Sequence, residues 1–225
     1  MNALPQRTAL VVGATGAVGG YCVQELLRSG RYSKVTAITR SPLTVEHPKL
    51  EKHRIDFDRL DEHPEFLRAD DIFCSLGTIA KKASSRDEYY KVDVLYPHRV
   101  AELGRREGAS RFFLVTAAGA DPASLFYYLR FKGDVERLIT SIPFEAVHIF
   151  RPGLIMGPRK EFRLSESIAV FISTLLPFLF VGPFARYKPV KAADIARAMV
   201  RSAEGTVGGV KVYESETLIG LCGPG

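Results

Sequence analysis

Three glycines at three-residue spacing, Gly13, Gly16 and Gly19, follow directly on the apolar run TALVV at residues 8–12. That run reads as a buried strand. Beyond the glycines, residues 21–28 put Val23, Leu26 and Leu27 on one side of a helix. A strand that turns through glycines into a helix is a demanding constraint. The first glycine permits the tight turn, the second lets a ligand approach the backbone, and the third lets helix and strand pack together. The unpaired amides of the helix start then face an anion, which in this context is the pyrophosphate of a dinucleotide. Gly13, Thr15, Gly16, Ala17, Val18 and Gly19 are the contact positions this reading selects. A glycine-rich turn with no ligand is the plainer alternative, but three glycines exceed what a turn needs.

The same alternation continues along the chain. Strands are expected at residues 34–39, 53–57, 71–76, 111–116, 144–150 and 209–213. Helices are expected at 60–67, 86–107, 123–140 and 192–203, the long one with Val92, Leu95, Val100 and Leu103 on its apolar face. Gly30 is placed to stop the first helix. Near-continuous apolar strands alternating with helices imply a parallel sheet covered on both faces. Right-handed crossovers make it an α/β doubly wound, Rossmann-like fold that binds ligands at the carboxyl ends of its strands. The 225 residues, 46% of them hydrophobic, suit one domain over residues 1–225. Residues 151–225 then form a small C-terminal elaboration on the substrate side.

The end of the second strand addresses the choice of dinucleotide. An NAD-preferring site places a carboxylate there for the ribose 2′-hydroxyl. This chain has Thr39, Arg40 and Ser41. Arg40 can grip a 2′-phosphate through its planar fork and Ser41 can donate to it, so NADP(H) is the expected cofactor. Asp56 and Phe57 fall where the third strand passes the adenine, and Leu76 and Gly77 end the fourth strand near ribose and pyrophosphate. Phe57 and Leu76 read equally well as core residues. Pro152 and Gly153 turn the chain after the sixth strand, and Arg159 or Arg163 beyond them reach toward phosphate or are ordinary surface charges.

Tyr128 and Lys132 stand four residues apart on one helix face. The ammonium can acidify the phenol and hold the cofactor ribose, and the phenol can exchange a proton with a substrate carbonyl oxygen. Tyr127 is the adjacent alternative, but its spacing to Lys132 points it elsewhere. Thr116 is the hydroxyl at the end of the fifth strand, able to polarise a carbonyl or simply to face backbone.

Formal net charge is +6, with cations scattered among acidic residues, which suits a phosphate-bearing ligand and gives no reason to expect nucleic acid. Cys22, Cys74 and Cys222 are odd in number and widely spaced, so they read as reduced thiols of a cytoplasmic protein. No Cys or His cluster suggests a metal. Residues 1–7 are too short and polar for a signal peptide. The apolar stretch 168–181 is interrupted by Pro177 and too short for an ordinary membrane span. It reads as a buried helix, a pocket wall, or a peripheral membrane or protein contact near Arg186 and Lys188. Oligomeric state stays open.

Taken in order, the Gly13–Gly19 turn, Val35 through Arg40, the CSLGT of residues 74–78, Gly119-Ala120-Asp121, the YLRFKGDVE of residues 128–136 and the FRPG of residues 150–153 resemble the atypical short-chain dehydrogenase/reductase superfamily. Within it they are most similar to the Tat-interacting-protein-like (CC3) oxidoreductase group. The resemblance covers nearly the whole chain. It implies an NADPH-binding fold in which Arg40, Tyr128, Lys132, Ile155 and Arg163 match cofactor-contact positions and Tyr128 and Lys132 are the catalytic pair. The family usually has serine, often two, where this chain has Thr116 and Ala117. Threonine keeps the hydroxyl but restricts its rotamer. The expectation is an NADPH-dependent oxidoreductase acting on an unidentified small carbonyl substrate. The alternative, from a group that also holds regulatory proteins, is an NADPH-binding partner protein with little turnover.

Overall fold

The structure, a computed structural model, describes residues 6–78, 84–157, 182–205 and 208–222. Seven parallel strands form one sheet: β1 (Arg7–Val12), β2 (Tyr32–Thr39), β3 (Leu50–Arg54), β4 (Asp71–Cys74), β5 (Arg111–Val115), β6 (Ala146–Arg151) and β9 (Gly209–Glu214). Their order is β3-β2-β1-β4-β5-β6-β9. The strand order reverses between β1 and β4, and this switch point is where a doubly wound sheet opens a crevice at its carboxyl edge. Two short strands, β7 (Ile155–Met156) and β8 (Val190–Lys191), pair in parallel as a separate ribbon. The doubly wound fold read from the sequence is the one observed.

Helices cover both faces. On one lie α1 (Ala17–Arg28), α5 (Ala192–Glu204) and α6 (Ser215–Cys222), whose Val23, Leu26, Ile195 and Met199 pack with Val11, Phe73 and Phe113 of the sheet. On the other lie the 3-10 turns Phe57–Glu62 and Pro64–Leu67, then α2 (Arg86–Tyr90), a π-helical turn Lys91–Leu95, α3 (Tyr96–Arg106) and α4 (Tyr127–Thr140). Leu60, Val100, Phe131 and Val135 meet Leu10, Ile72 and Leu114 there.

Four local expectations change. The third strand lies at Leu50–Arg54, three residues before its expected place, because Asp56 takes the Asp58 amide at 3.0 Å and caps a 3-10 turn that begins at Phe57. The helix expected at 60–67 is two 3-10 turns, divided by Pro64, which cannot donate into a continuing helix. Leu95, expected on the buried face of its helix, is 45% exposed, since the wider π turn buries Val92, Asp93 and Val94 in succession. The helix expected from 123 begins at Tyr127. Cys22, Cys74 and Cys222 are free thiols, the first two buried.

The amino ends of the strands are closed by charge. Tyr32, Asp71 and Arg111 begin their strands, as does Arg7. Asp71 is fully buried and accepts from Arg7 (2.8 and 3.1 Å), Arg111 (2.5 and 2.7 Å) and the Tyr32 hydroxyl (2.7 Å). Arg111 also donates to the carbonyls of Ala203 and Gly205, tying α5 to the sheet. Burial by itself would raise the Asp71 pKa, but the bonds from Arg111 and Arg7 outweigh it and hold the carboxyl below its ordinary value.

The two edges of the sheet differ. β3 carries Glu51, Lys52, His53 and Arg54. β9 is exposed from Gly209 to Val212, with Val210 at 57% and Val212 at 41%.

Candidate functional site

At the carboxyl edge the glycine turn does what its spacing requires. Gly13 has φ +89°, and a Cβ there would meet the Ser75 backbone at 2.8 Å. A Cβ on Gly19 would strike the Gly13 carbonyl oxygen at 2.1 Å, so Gly19 lets α1 lie against the turn. At Gly16 the nearest atom is that same oxygen at 3.2 Å, and the Gly16 amide donates to it at 2.9 Å. Gly16 is also the N-cap of α1. It supplies no side-chain acceptor, and the first turn has no acidic residue. The helix start therefore presents bare N–H groups and positive dipole with no internal carboxylate competing for them. These features fit a bound pyrophosphate.

A groove opens beside this turn, lined by Gly13, Thr15, Gly16, Ile38, Thr39, Arg40, Ser41, Phe57, Ser75, Leu76 and Gly77. Seven expected contact residues (Gly13, Thr15, Gly16, Arg40, Ser41, Leu76 and Gly77) thus share one cavity. Ala17, Val18 and Gly19 stand behind it in α1, with Val18 and Gly19 buried. Asp56 caps the neighbouring 3-10 turn and leaves the wall to Phe57. The structure adds Ile38 and Ser75 to the lining and brings in Arg54, whose Nε donates to the Arg40 carbonyl at 3.1 Å. Two cations thus end adjacent strands. Arg54 was overlooked because the expected third strand ran past it to Phe57.

The chain after β6, with the expected contacts Pro152 and Ile155, is not part of this lining. Pro152 is buried and its carbonyl accepts from the Ala118 amide at 2.8 Å. A Cβ on Gly153 would meet the Tyr187 carbonyl at 2.4 Å, so the turn packs flush against the backbone of Tyr187 and Lys188. Ile155 pairs with Val190 in the small ribbon. Gly157 lies close to Ala192 and Ala17, which returns this segment to the start of α1. Arg159, Arg163 and the stretch 168–181 lie outside the described residues.

Lys132 is buried in α4, and its Nζ stands 6.0 Å from the centroid of the Tyr128 ring, which is 42% exposed. Nζ also forms an ion pair at 2.7 Å with Oδ2 of Asp93, a residue of the π turn. Burial pulls the Lys132 pKa down, but Asp93 and then Tyr128 more than compensate, so the net shift is upward and the ammonium is held charged. Asp93 was not among the expected residues, because it falls between Val92 and Val94 on a stretch that reads as core. Tyr127 turns away, packed at 6.0 Å from Tyr89 and 5.7 Å from Phe131 with Arg86 over its ring. Thr116 is buried and donates to Glu136 Oε1 at 2.6 Å, while Glu136 is in turn held by Arg151 at 2.5 and 3.0 Å. Glu136 is two turns along α4 from Tyr128, about 12 Å of rise. The Thr116 hydroxyl is thus committed away from the phenol, and its neighbour Ala117 offers none. Among the described residues no cluster could hold a metal ion.

Strand order, switch-point groove and glycine turn together define a short-chain-dehydrogenase-like Rossmann protein. The chain belongs to the NAD dependent epimerase/dehydratase family, whose model matches residues 9–124. Among curated relatives, Protein HTATIP2 of Rattus norvegicus is 32% identical over 203 residues, covering 88% of this chain and 82% of that one. This agrees with the Tat-interacting-protein-like resemblance. Protein fmp52, mitochondrial, of Aspergillus clavatus is 31% identical, covering 90% and 92%. Protein FMP52-1, mitochondrial, of Scheffersomyces stipitis is 28% identical, covering 95% and 98%. Among solved structures, MoeE5 in complex with UDP-glucuronic acid and NAD superposes with a TM-score of 0.69 at 23% identity, covering 91% of this chain and 75% of that one. The Bordetella bronchiseptica enzyme WbmH in complex with NAD+ gives 0.69 at 17%, covering 93% and 76%. These two establish likeness of fold. The cytoplasmic expectation is corrected by the relatives, since several fungal ones are named mitochondrial. Reduced thiols had suggested that compartment, but they do not distinguish one reducing compartment from another. No helix among the described residues is long and apolar enough to cross a membrane.

Proposed function

We propose that the chain is an NADPH-dependent oxidoreductase that reduces a small carbonyl compound. The observation that carries the reading is Tyr128 one helical turn from a buried, charged Lys132, whose ammonium would lie 3.6 Å from a Cβ on Gly77 in the groove lining. Gly13, Thr15, Gly16, Ala17, Val18 and Gly19 would cradle the pyrophosphate with backbone amides and Leu76 and Gly77 would flank it, with Ile155 and Arg163 the further contacts that the family resemblance implies. A nicotinamide dinucleotide held there would supply the hydride. Tyr128 gives its phenolic proton to the carbonyl oxygen as negative charge develops there, and Lys132 stabilises the phenolate that remains. Arg40 and Ser41 take the 2′-phosphate, with Arg54 alongside. The neighbours MoeE5 and WbmH carry NAD. The NADPH preference rests instead on the groove lining at the end of β2, which offers Arg40 and no carboxylate.

Tyr128→Phe tests the chemistry. Turnover on carbonyl substrates found by screening falls by about 10² to 10⁴, while NADPH affinity stays within a few-fold. Unchanged turnover removes Tyr128 from the mechanism.

One observation favours a second reading, a dinucleotide-responsive binding protein with little turnover. Thr116 spends its hydroxyl on Glu136 and Ala117 has none, so the end of β5 gives no donor to polarise a carbonyl. Tight NADPH binding by the wild type with no turnover across the screen decides for that reading.

A further inference from the structure

The turn after β5 is pinned at both ends. The Ala118 amide donates to the Pro152 carbonyl at 2.8 Å, and the Asp121 amide donates to the Leu129 carbonyl of α4 at 3.1 Å. Leu129 follows Tyr128 directly. Between the two bonds stands Gly119 with φ +80°, a conformation that a residue without Cβ adopts at no steric cost. A Cβ there would lie 3.2 Å from the Tyr187 hydroxyl oxygen, 3.7 Å from Tyr187 Cε1 and 3.7 Å from Leu129 Cδ1. The edge of the Tyr187 phenol therefore rests on this turn, beside the helix residue next to Tyr128.

The backbone that carries Tyr187 is held, and its hydroxyl is not. Ser215 Oγ accepts from the Gly153 amide at 2.8 Å and donates to the Arg186 carbonyl at 2.7 Å, while the Lys188 amide donates to the Ala185 carbonyl at 3.1 Å. The Arg186 guanidinium stands 5.0 Å from the centroid of the Tyr187 ring. The side chain is nevertheless 37% exposed, and among the described residues its hydroxyl has no hydrogen-bond partner. A fixed ring thus carries a phenolic O–H that is free to donate.

We propose that Tyr187 is a substrate-binding residue whose hydroxyl donates to the carbonyl oxygen that Tyr128 protonates, supplying the donor that the end of β5 lacks. The proposal rests on the oxidoreductase reading of the site. Thr116 is committed to Glu136 and Ala117 has no hydroxyl, so neither residue can take this part. A carbonyl oxygen has two lone pairs and accepts two donors at once. The carbonyl carbon takes the hydride, Tyr128 gives its proton to the oxygen, and Tyr187 keeps its own. Its O–H bond dipole holds the oxygen while negative charge grows there. The second donor then comes from the segment before β8, on the side where the chain meets its substrate, and from no residue of β5.

The rival account is that Tyr187 merely packs its segment against Gly119. Tyr187→Phe keeps the ring and that packing and removes only the hydroxyl. Hexanal, benzaldehyde and diacetyl serve as carbonyl probes, with NADPH as reductant. On a probe that the wild type reduces, kcat of Tyr187→Phe falls by about 10² or more, the size of one lost donor to a developing oxyanion. The ratio kcat/KM falls with it, because the bond strengthens in the transition state. NADPH affinity and the melting temperature keep their wild-type values. A kcat within about twofold of wild type, or a fall in kcat accompanied by weaker NADPH binding and a lower melting temperature, overturns the assignment of Tyr187 and leaves that of Tyr128 standing. No reduction of any probe by the wild type overturns the oxidoreductase reading, and Tyr187 with it.

Discussion

The two ends of the sheet use charge in opposite ways. At the amino ends Asp71 is surrounded by Arg7, Arg111 and Tyr32, and every bond closes on another residue of the protein. At the carboxyl ends Gly16 caps α1 with no side chain, and the Arg54 guanidinium reaches across to the Arg40 carbonyl beside the groove. The first end is arranged for the folded state alone. The second leaves the first amides of α1 without a side-chain acceptor among the described residues, a cost in stability that suits the proposed binding role.

The largest effect that would break this contrast is at Asp71. Asp71→Ala strands two guanidinium groups and should cost about 3–5 kcal/mol in denaturant unfolding. An unchanged midpoint would show that the closed end does not hold the fold. The pH dependence has a definite sign. Because the folded pKa of Asp71 is depressed, its contribution is present above the unfolded value of 3.8 and is lost as pH falls through the folded one.

At the open end Gly16→Val should weaken NADPH by about a hundredfold or more, roughly 2.7 kcal/mol, by putting a branched side chain where the pyrophosphate approaches. The fold should survive, since the Gly16 φ of −81° suits any residue. Normal binding in calorimetry would mean the cradle is elsewhere.

His148 sharpens the comparison from the middle of the sheet. It is stacked on Phe113 and hydrogen-bonded to Tyr213 at 2.8 Å. Burial first, then Arg111 and Lys211, lowers its pKa from 6.5 to about 4. Between these values the unfolded chain binds more protons, so stability rises with pH across the window and is lost as pH falls through it. His148→Gln should flatten that slope in unfolding measured from pH 4 to 6.5, leaving the Asp71 decline below it.

The smallest effect is at Arg40. Arg40→Ala should narrow the preference for NADPH over NADH by about tenfold, because Arg54 remains nearby. Equal wild-type affinity for both cofactors would overturn the NADPH assignment.

How much of this was legible in the sequence follows from how local each feature is. The glycine turn needs only neighbours within seven residues, and the tight turn at Gly13 and the close packing at Gly19 are both seen. Arg40 and Ser41, adjacent to a strand whose β-branched residues mark it, do line the groove. The third strand was misplaced because residues 53–57 alternate as a strand would, whereas Val35 on β2 selects Leu50 as its partner. Pro64 was visible, but the stretch from Leu60 to Leu67 still reads as a polar helix. The Thr116–Glu136 bond spans twenty residues and depends on how α4 docks, which no spacing reveals. Asp93 was hidden by a π turn that breaks the 3.6-residue period by which faces are read. Closure at Asp71 joins residues from four strands and carries no motif at all.

The uneven edges of the sheet bear on how the protein keeps in solution. β3 presents Glu51, Lys52, His53 and Arg54, a row that repels a second strand. β9 offers Val210 and Val212 with Lys211 as the lone charge between them and no proline. Its backbone is a ready template for another chain. Crowded molecules will meet first along this margin, and a single Val212→Lys replacement would guard it without touching the groove at the opposite side of the fold.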